Sequence, residues 1–178
     1  MIVVAIVGIL AAVAIPSFMR FQMRSRAAEG KANLAAIRTA EEGYATEFGT
    51  YVATTASPVP LTGAALSADK RDWADNGGFG IIGWAPEGEV YYSYEIRVGP
   101  AGCLTGGEPC AHFTAEAASD LDDDGLLNWW GYVHPDAQGN AVAGAGCPAT
   151  GVYSPISASN DLLGTVGPCT PFSGHSVF

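Results

Sequence analysis

Hydrophobic positions are distributed very unevenly along the chain. It opens on the run MIVVAIVGILAAVAIPSFM, which carries no charged side chain through Met19. As a helix rising about 1.5 Å per residue, those residues would span roughly 28 Å, close to the hydrocarbon thickness of a bilayer. From Ser17 to Phe48 the pattern becomes that of a helix with a wet side. Ala, Glu, Arg and Met are abundant there, and all are strong helix formers. Apolar positions at Phe21, Ala28, Ala32, Ala35, Ala36 and Tyr44 predict one narrow stripe. Pro16 removes a backbone hydrogen bond and predicts a kink or local melting. Ser17 suits a cap for the second portion, and Gly49 a stop. The result is a rod of about 48 residues and about 70 Å. The rest of the chain is too small to cover it, so its first half must lie in lipid or against other copies.

Beyond the rod the periodicity changes. Residues 52–89 are punctuated by Pro58, Pro60, Gly63, Gly77, Gly78, Gly80 and Gly83. They read as a linker-like region with a weak helical patch, AALSADKRDWAD, and an apolar run, FGIIGW. Val90 to Val98 alternates and is rich in aromatic and β-branched residues, which predicts a strand. Ala111 to Ala118 and Leu126 to Val133 predict two more, in a meander packed on the rear of the helix. The tail from Pro135 is rich in Gly, Ala, Ser and Pro and reads as loop. The fold class is α+β. Its parts are residues 1–51 (apolar 1–19, amphipathic 20–48) and a head of residues 52–178.

Charge and cysteines narrow the function. A net charge of −10 repels phosphates and argues against nucleic acid as a partner. Four cysteines stand at 103, 110, 147 and 169. Their spacing fits no zinc, redox or haem motif, and Cys103, Cys110 and His112 make only a fragment of a metal pattern. Two disulfides, formed in an oxidising compartment, are the better reading. Of three pairings the sequential one, Cys103–Cys110 and Cys147–Cys169, is favoured because each bridge closes a Gly- and Pro-rich loop. Arg20, Arg24 and Arg26 directly after the span favour a cytoplasmic location for that side, whereas the cysteines call for export. A signal peptide fits poorly, since the cleavage position near Ala14 is followed by Ile15 and Pro16.

One constellation carries chemistry. Asp120, Asp122 and Asp124 followed by Gly125 match the first half of an EF-hand-like loop, in which alternate carboxylates converge on a hard cation. Leu126 would add a carbonyl, and Asn128 stands at the ninth position. The twelfth is Gly131, so the bidentate glutamate is missing. Calcium binding competes with a plain solvated acidic turn. His112, His134 and His175 have no spaced partners for a triad or metal cluster. No G-x-S-x-G, Walker loop or GxGxxG occurs, and Ser173-Gly-His175 is not a nucleophile motif. No enzyme activity is expected.

MIVVAIVGILAAVAIPSF followed by FQMRSRAAEGKANLAAIRTAEEGYATEFGTY resembles the N-terminal region of type IV pilins and of type II secretion pseudopilins. The resemblance covers about residues 1–51 and is most specific in the first 18. In that family a basic leader, a prepilin peptidase site and a few residues including a glutamate precede this segment, so the chain looks truncated at its start. The resemblance implies a homo-oligomeric helical filament, with the subunit in the bacterial inner membrane before assembly and in a surface pilus afterwards, serving adhesion or motility. Orientation in this family is set by the leader, which removes the conflict over the arginines. Ile2, Val3, Ala5, Ile6, Gly8, Ile9, Leu10, Ala12, Ile15, Pro16 and Phe18 would line the filament core, and Ala5, Gly8, Ala11 and Ala12 permit close helix approach. The resemblance also implies a disulfide-bounded C-terminal loop. Two alternatives are a type II secretion pseudopilin and a membrane-anchored calcium-binding module that never polymerises.

Overall fold

A computed structural model describes residues 2–63, 65–100, 102–103 and 108–173. The rod is one helix, α1 (Ile2–Phe48), and it runs unbroken through Pro16. Local melting does not occur there. Loss of one bond leaves the neighbouring rungs of the ladder to hold the helix. At the far end Gly49 adopts a φ of 75° and its N–H donates to Ala45 O at 2.8 Å, the left-handed stop that only glycine enters without strain.

The buried face of α1 is not the expected alanine stripe. Ala27, Gly30, Leu34, Ile37 and Glu41 are buried, at steps of three and four. Phe21, Ala28, Ala32, Ala35 and Ala36 stay exposed, and Tyr44 is half-buried. The docked face is turned about 100° from the predicted one, a single residue step. Burial of Leu34 and Ile37 outweighs that of several alanines. Gly30 decides the approach distance, because a Cβ there would stand 3.2 Å from three atoms of the Tyr92 ring.

The head contains β1 (Ser93–Gly99), β2 (His112–Ser119), β3 (Asn128–His134), β4 (Val152–Ser154), β5 (Ser159–Leu162) and β6 (Val166–Pro168). One antiparallel sheet has the order β1-β2-β3-β6, and β4 pairs with β5 in a second. In register, Tyr94, Ala117 and Trp130 form one cross-strand row and Ile96, Ala115 and Tyr132 the next. These rows share a core with Leu34 and Ile37 of the helix. The opposite face is also covered, by a cluster joining Ala118, Trp129 and Val133 to Leu61, Leu66 and the Cys147–Cys169 pair. All eight residues of β2 are therefore buried.

The first three strands lie where alternation predicted them, displaced by one to three residues. The tail does not stay loop. It contributes three short strands, and β6 completes the main sheet beside β3. Pro168 is tolerated because β6 is an edge. The patch 64–75 forms no helix among its described residues. Arg71 instead exchanges backbone hydrogen bonds with Val90 at 2.8 Å each way. Trp73, Phe79, Trp84 and Tyr94 gather with ring centroids 5.3–6.2 Å apart. This aromatic packing overrides weak local helix propensity.

Two helix carboxylates fasten the head to α1. Glu29 Oε1 accepts from Tyr91 N–H at 2.8 Å and from the Tyr94 hydroxyl at 3.3 Å. Glu41 Oε2 accepts from Val52 N–H at 3.1 Å, while its Oε1 is buried without a partner. Burial, only partly offset by the Val52 amide, pushes the Glu41 pKa from 4.5 up to about 7. The folded state holds this proton where the unfolded chain has lost it. Its stabilising contribution is full below pH 4.5 and is lost as pH rises through about 7. Melting curves of the parent and of Glu41→Gln should therefore diverge over that interval, with the parent losing about 3 kcal/mol relative to the variant. A difference independent of pH would refute the assignment.

Candidate functional site

The eleven residues assigned to a filament core, from Ile2 to Phe18, are all exposed. The front of α1 makes almost no contact with the head. Apolar side chains surround it on every side, including Ile9 at 70% and Val13 at 72% exposure. This stretch of α1 is long and apolar enough to cross a membrane. An all-round apolar helix in water is unstable as a surface feature and needs lipid or other apolar helices around it. Gly8 leaves open space where a side chain would stand, with nothing within 4 Å of a built Cβ. Another helix can approach there closely.

The structure joins Cys103 to Cys110 and Cys147 to Cys169. The second bridge encloses β4, β5 and β6 and lies against β3. A Cβ at Gly131 would fall 2.1 Å from Cys147 Sγ, so only glycine fits beneath the bridge. Beside it, Glu116 points from the middle of β2 into the turn before Cys147. Its carboxylate accepts from the N–H groups of Ala145, Gly146 and Cys147. Glu116 also lies near both bridge sulfurs, but sulfurs tied in a disulfide offer no thiolate to a metal. Burial raises the Glu116 pKa, against the lowering effect of the three amides.

The acidic turn between β2 and β3 places Asp120, Asp122 and Asp124 together, each with a carboxylate oxygen within 4.8 Å of the others. Asp120 Oδ2 accepts from Gly125 N–H at 3.0 Å, and Asp124 Oδ1 from Leu126 N–H at 2.7 Å. Asp120 Oδ1 and Asp122 Oδ1 are buried with no hydrogen-bond partner. Burial, then the charges of Asp124 and Asp120, raise the Asp122 pKa. Leu126 is exposed. Asn128 is not brought to this group. Its Oδ1 accepts from the Tyr92 hydroxyl at 2.8 Å and Trp130 Nε1 at 2.6 Å, which uses both lone pairs of an amide oxygen.

The histidines stand elsewhere. His112 Nδ1 lies 3.6 Å from Asp136, and His134 Nδ1 3.2 Å from Glu42. Neither belongs to a metal-ligating group among the described residues, and His175 lies outside them. Ser173 Oγ accepts from Trp129 N–H at 2.8 Å, a structural role.

No protein-family model matches the chain. Over 103 residues it is 37% identical to the type IV major pilin protein PilA of Myxococcus xanthus (strain DK1622). The likeness supports the type IV pilin family. The match takes in 58% of this chain but only 36% of that relative's length. A long helix docked by its rear half on an antiparallel sheet, with a disulfide-bounded C-terminal region, is pilin-like architecture.

The residues that the sequence pattern did not single out are the buried carboxylates. Glu41 continues the series Leu34, Ile37 at the helical period, and Glu116 interrupts a strand of small and apolar residues. Each is a charge at a position whose neighbours predict core. That was the available signal.

Proposed function

We propose that the chain is a structural subunit of a type IV pilus-like surface filament, polymerised through the exposed apolar front of α1. The observation that carries this is the fully apolar helix segment left uncovered by its own head, and the likeness to a type IV major pilin supports it. Subunits wait with this segment in the inner membrane, then exchange lipid for the same segments of other copies. Close packing at Ala5, Gly8, Ala11 and Ala12 offsets the loss of lipid contacts. The head, docked at Ala27 to Glu41, is carried outward, and its net negative charge covers the filament surface. Adhesion and motility follow from where such a fibre stands. No catalytic step is assigned to any residue.

Electron microscopy of sheared surface fractions, with mass spectrometry of the fibre subunit, tests the proposal. Fibres built of this chain, absent when its gene is deleted, are the expected result. Intact fibres and unaltered motility after deletion would count against a major pilin. Loss of protein export with no loss of fibres would point instead to a secretion pseudopilin.

A further inference from the structure

We propose that Asp120, Asp122 and Asp124 hold one calcium ion at the turn between β2 and β3. A run of acids alone would not carry this, since many turns are acidic only because they are solvated. The distinguishing feature is burial without partners. Asp120 is only 7% exposed. One of its oxygens is used by Gly125 N–H, and the other is sealed from water with no donor in reach. Asp122 Oδ1 is in the same state. A buried carboxylate oxygen with no hydrogen bond is costly, and two beside a third carboxylate also repel one another. One divalent cation resolves all three penalties together.

The donor set selects the ion. All the ligands are carboxylate oxygens, which suit hard cations and disfavour zinc or copper. Calcium reaches oxygens at about 2.3–2.6 Å and accepts irregular shells. Oxygens spread over as much as 4.8 Å can therefore share it from opposite sides. Magnesium needs a near-ideal octahedron at about 2.0–2.1 Å and keeps its waters. The backbone is already turned for the site, with Asp123 at a φ of 56° and Gly125 at 83°. Asp123 itself points away and accepts from Ala68 N–H at 2.9 Å. With three carboxylates and no bidentate glutamate, the affinity belongs with extracellular modules, a Kd of roughly 10⁻⁴–10⁻³ M.

The position gives the ion a role. Leu121 O, inside the turn, accepts from Arg26 of α1 at 3.3 Å, and the same guanidinium reaches Ala68 O at 3.4 Å. Calcium would fix the turn that links the sheet, the 66–71 segment and the helix where α1 leaves the head. This reading stands apart from the filament proposal, because a single subunit suffices to bind the ion.

The test uses the whole chain in detergent micelles, stripped with EGTA and titrated calorimetrically with CaCl2 or MgCl2. Calcium should give a saturable heat and raise Tm by about 3–10 °C at about 10 mM, with magnesium binding at least about tenfold more weakly. The Asp122 carboxylate accepts from backbone N–H groups of its own turn, Asp124 among them, and the amide oxygen of Asp122→Asn can still accept there. Asp122→Asn should therefore melt at or above the parent in EGTA, yet bind calcium at least about tenfold more weakly. Asp123→Asn should change calcium binding by less than about threefold. No calcium heat with an unchanged Tm would overturn the proposal. So would equal weakening by the two variants, which would indicate diffuse attraction to an acidic surface.

Discussion

Replacing Ile9 by arginine is expected to abolish filament assembly while leaving the head intact. Ile9 lies in the middle of the apolar front of α1 and is 70% exposed. It makes no contribution to the two cores of the head. A cationic side chain at the centre of an apolar span costs about 2.5–3.5 kcal/mol on insertion scales. The cost recurs at every subunit of a polymer, because each copy would bring its own charge into the bundle. Fibres should be absent from surface fractions of the Ile9→Arg strain and present at parental level for Ile9→Leu. The purified variant should melt with the parent, since residues 27–41 and the sheet are untouched. Parental fibre yield from Ile9→Arg would remove the front of α1 from the assembly surface.

The apolar front of α1 was legible because it is a matter of composition. An uncharged run through Met19 needs no tertiary information to be recognised. The docked face of the same helix was not legible to the residue. Alanine suits an exposed helix as well as a core, so the stripe at 28, 32, 35 and 36 carried little directional information. The real choice was made by Leu34, Ile37 and a gap at Gly30 shaped to the Tyr92 ring, a partner 62 residues away. Strand ends shifted for similar reasons. Val90 was expected in a strand but pairs with Arg71 outside β1, and the Leu126 N–H is taken by Asp124 before β3 begins. The short strands of the tail have three or four residues each, with Gly and Pro among them, and give no alternation to read.

The acidic turn divides in the same way. Spacing alone found Asp120, Asp122 and Asp124, because alternate residues of one loop converge by local geometry. Asn128 fits that spacing equally well, and it is claimed by Tyr92 and Trp130. Sequence distance predicts which side chains can meet. It does not show which acceptors are already saturated by the core.

Glu116 is expected to be the single side chain on which the C-terminal loop most depends. Glu116→Leu would leave the amides of Ala145, Gly146 and Cys147 facing an apolar group. The Cys147 amide is buried and those of Ala145 and Gly146 only partly so. A buried amide without a partner costs about 1–3 kcal/mol, so a loss of about 2–3 kcal/mol is expected. Glu116→Gln retains one acceptor oxygen and should cost less than half as much. Because burial raises the Glu116 pKa, the parent should lose stability relative to Glu116→Gln as pH rises above the ordinary carboxyl range. The bridge offers a second measurement. Closing a loop of this length contributes roughly 3 kcal/mol. If Glu116 and the disulfide hold the same turn, their effects cannot add. Replacing both cysteines by serine should therefore destabilise Glu116→Leu less than it destabilises the parent. The close fit supports such coupling, since a Cβ at Gly144 would lie 2.0 Å from the Glu116 carboxyl carbon and one at Gly131 would strike the bridge itself. Equal destabilisation in the two backgrounds would mean that Glu116 and the disulfide act on separate parts of the loop.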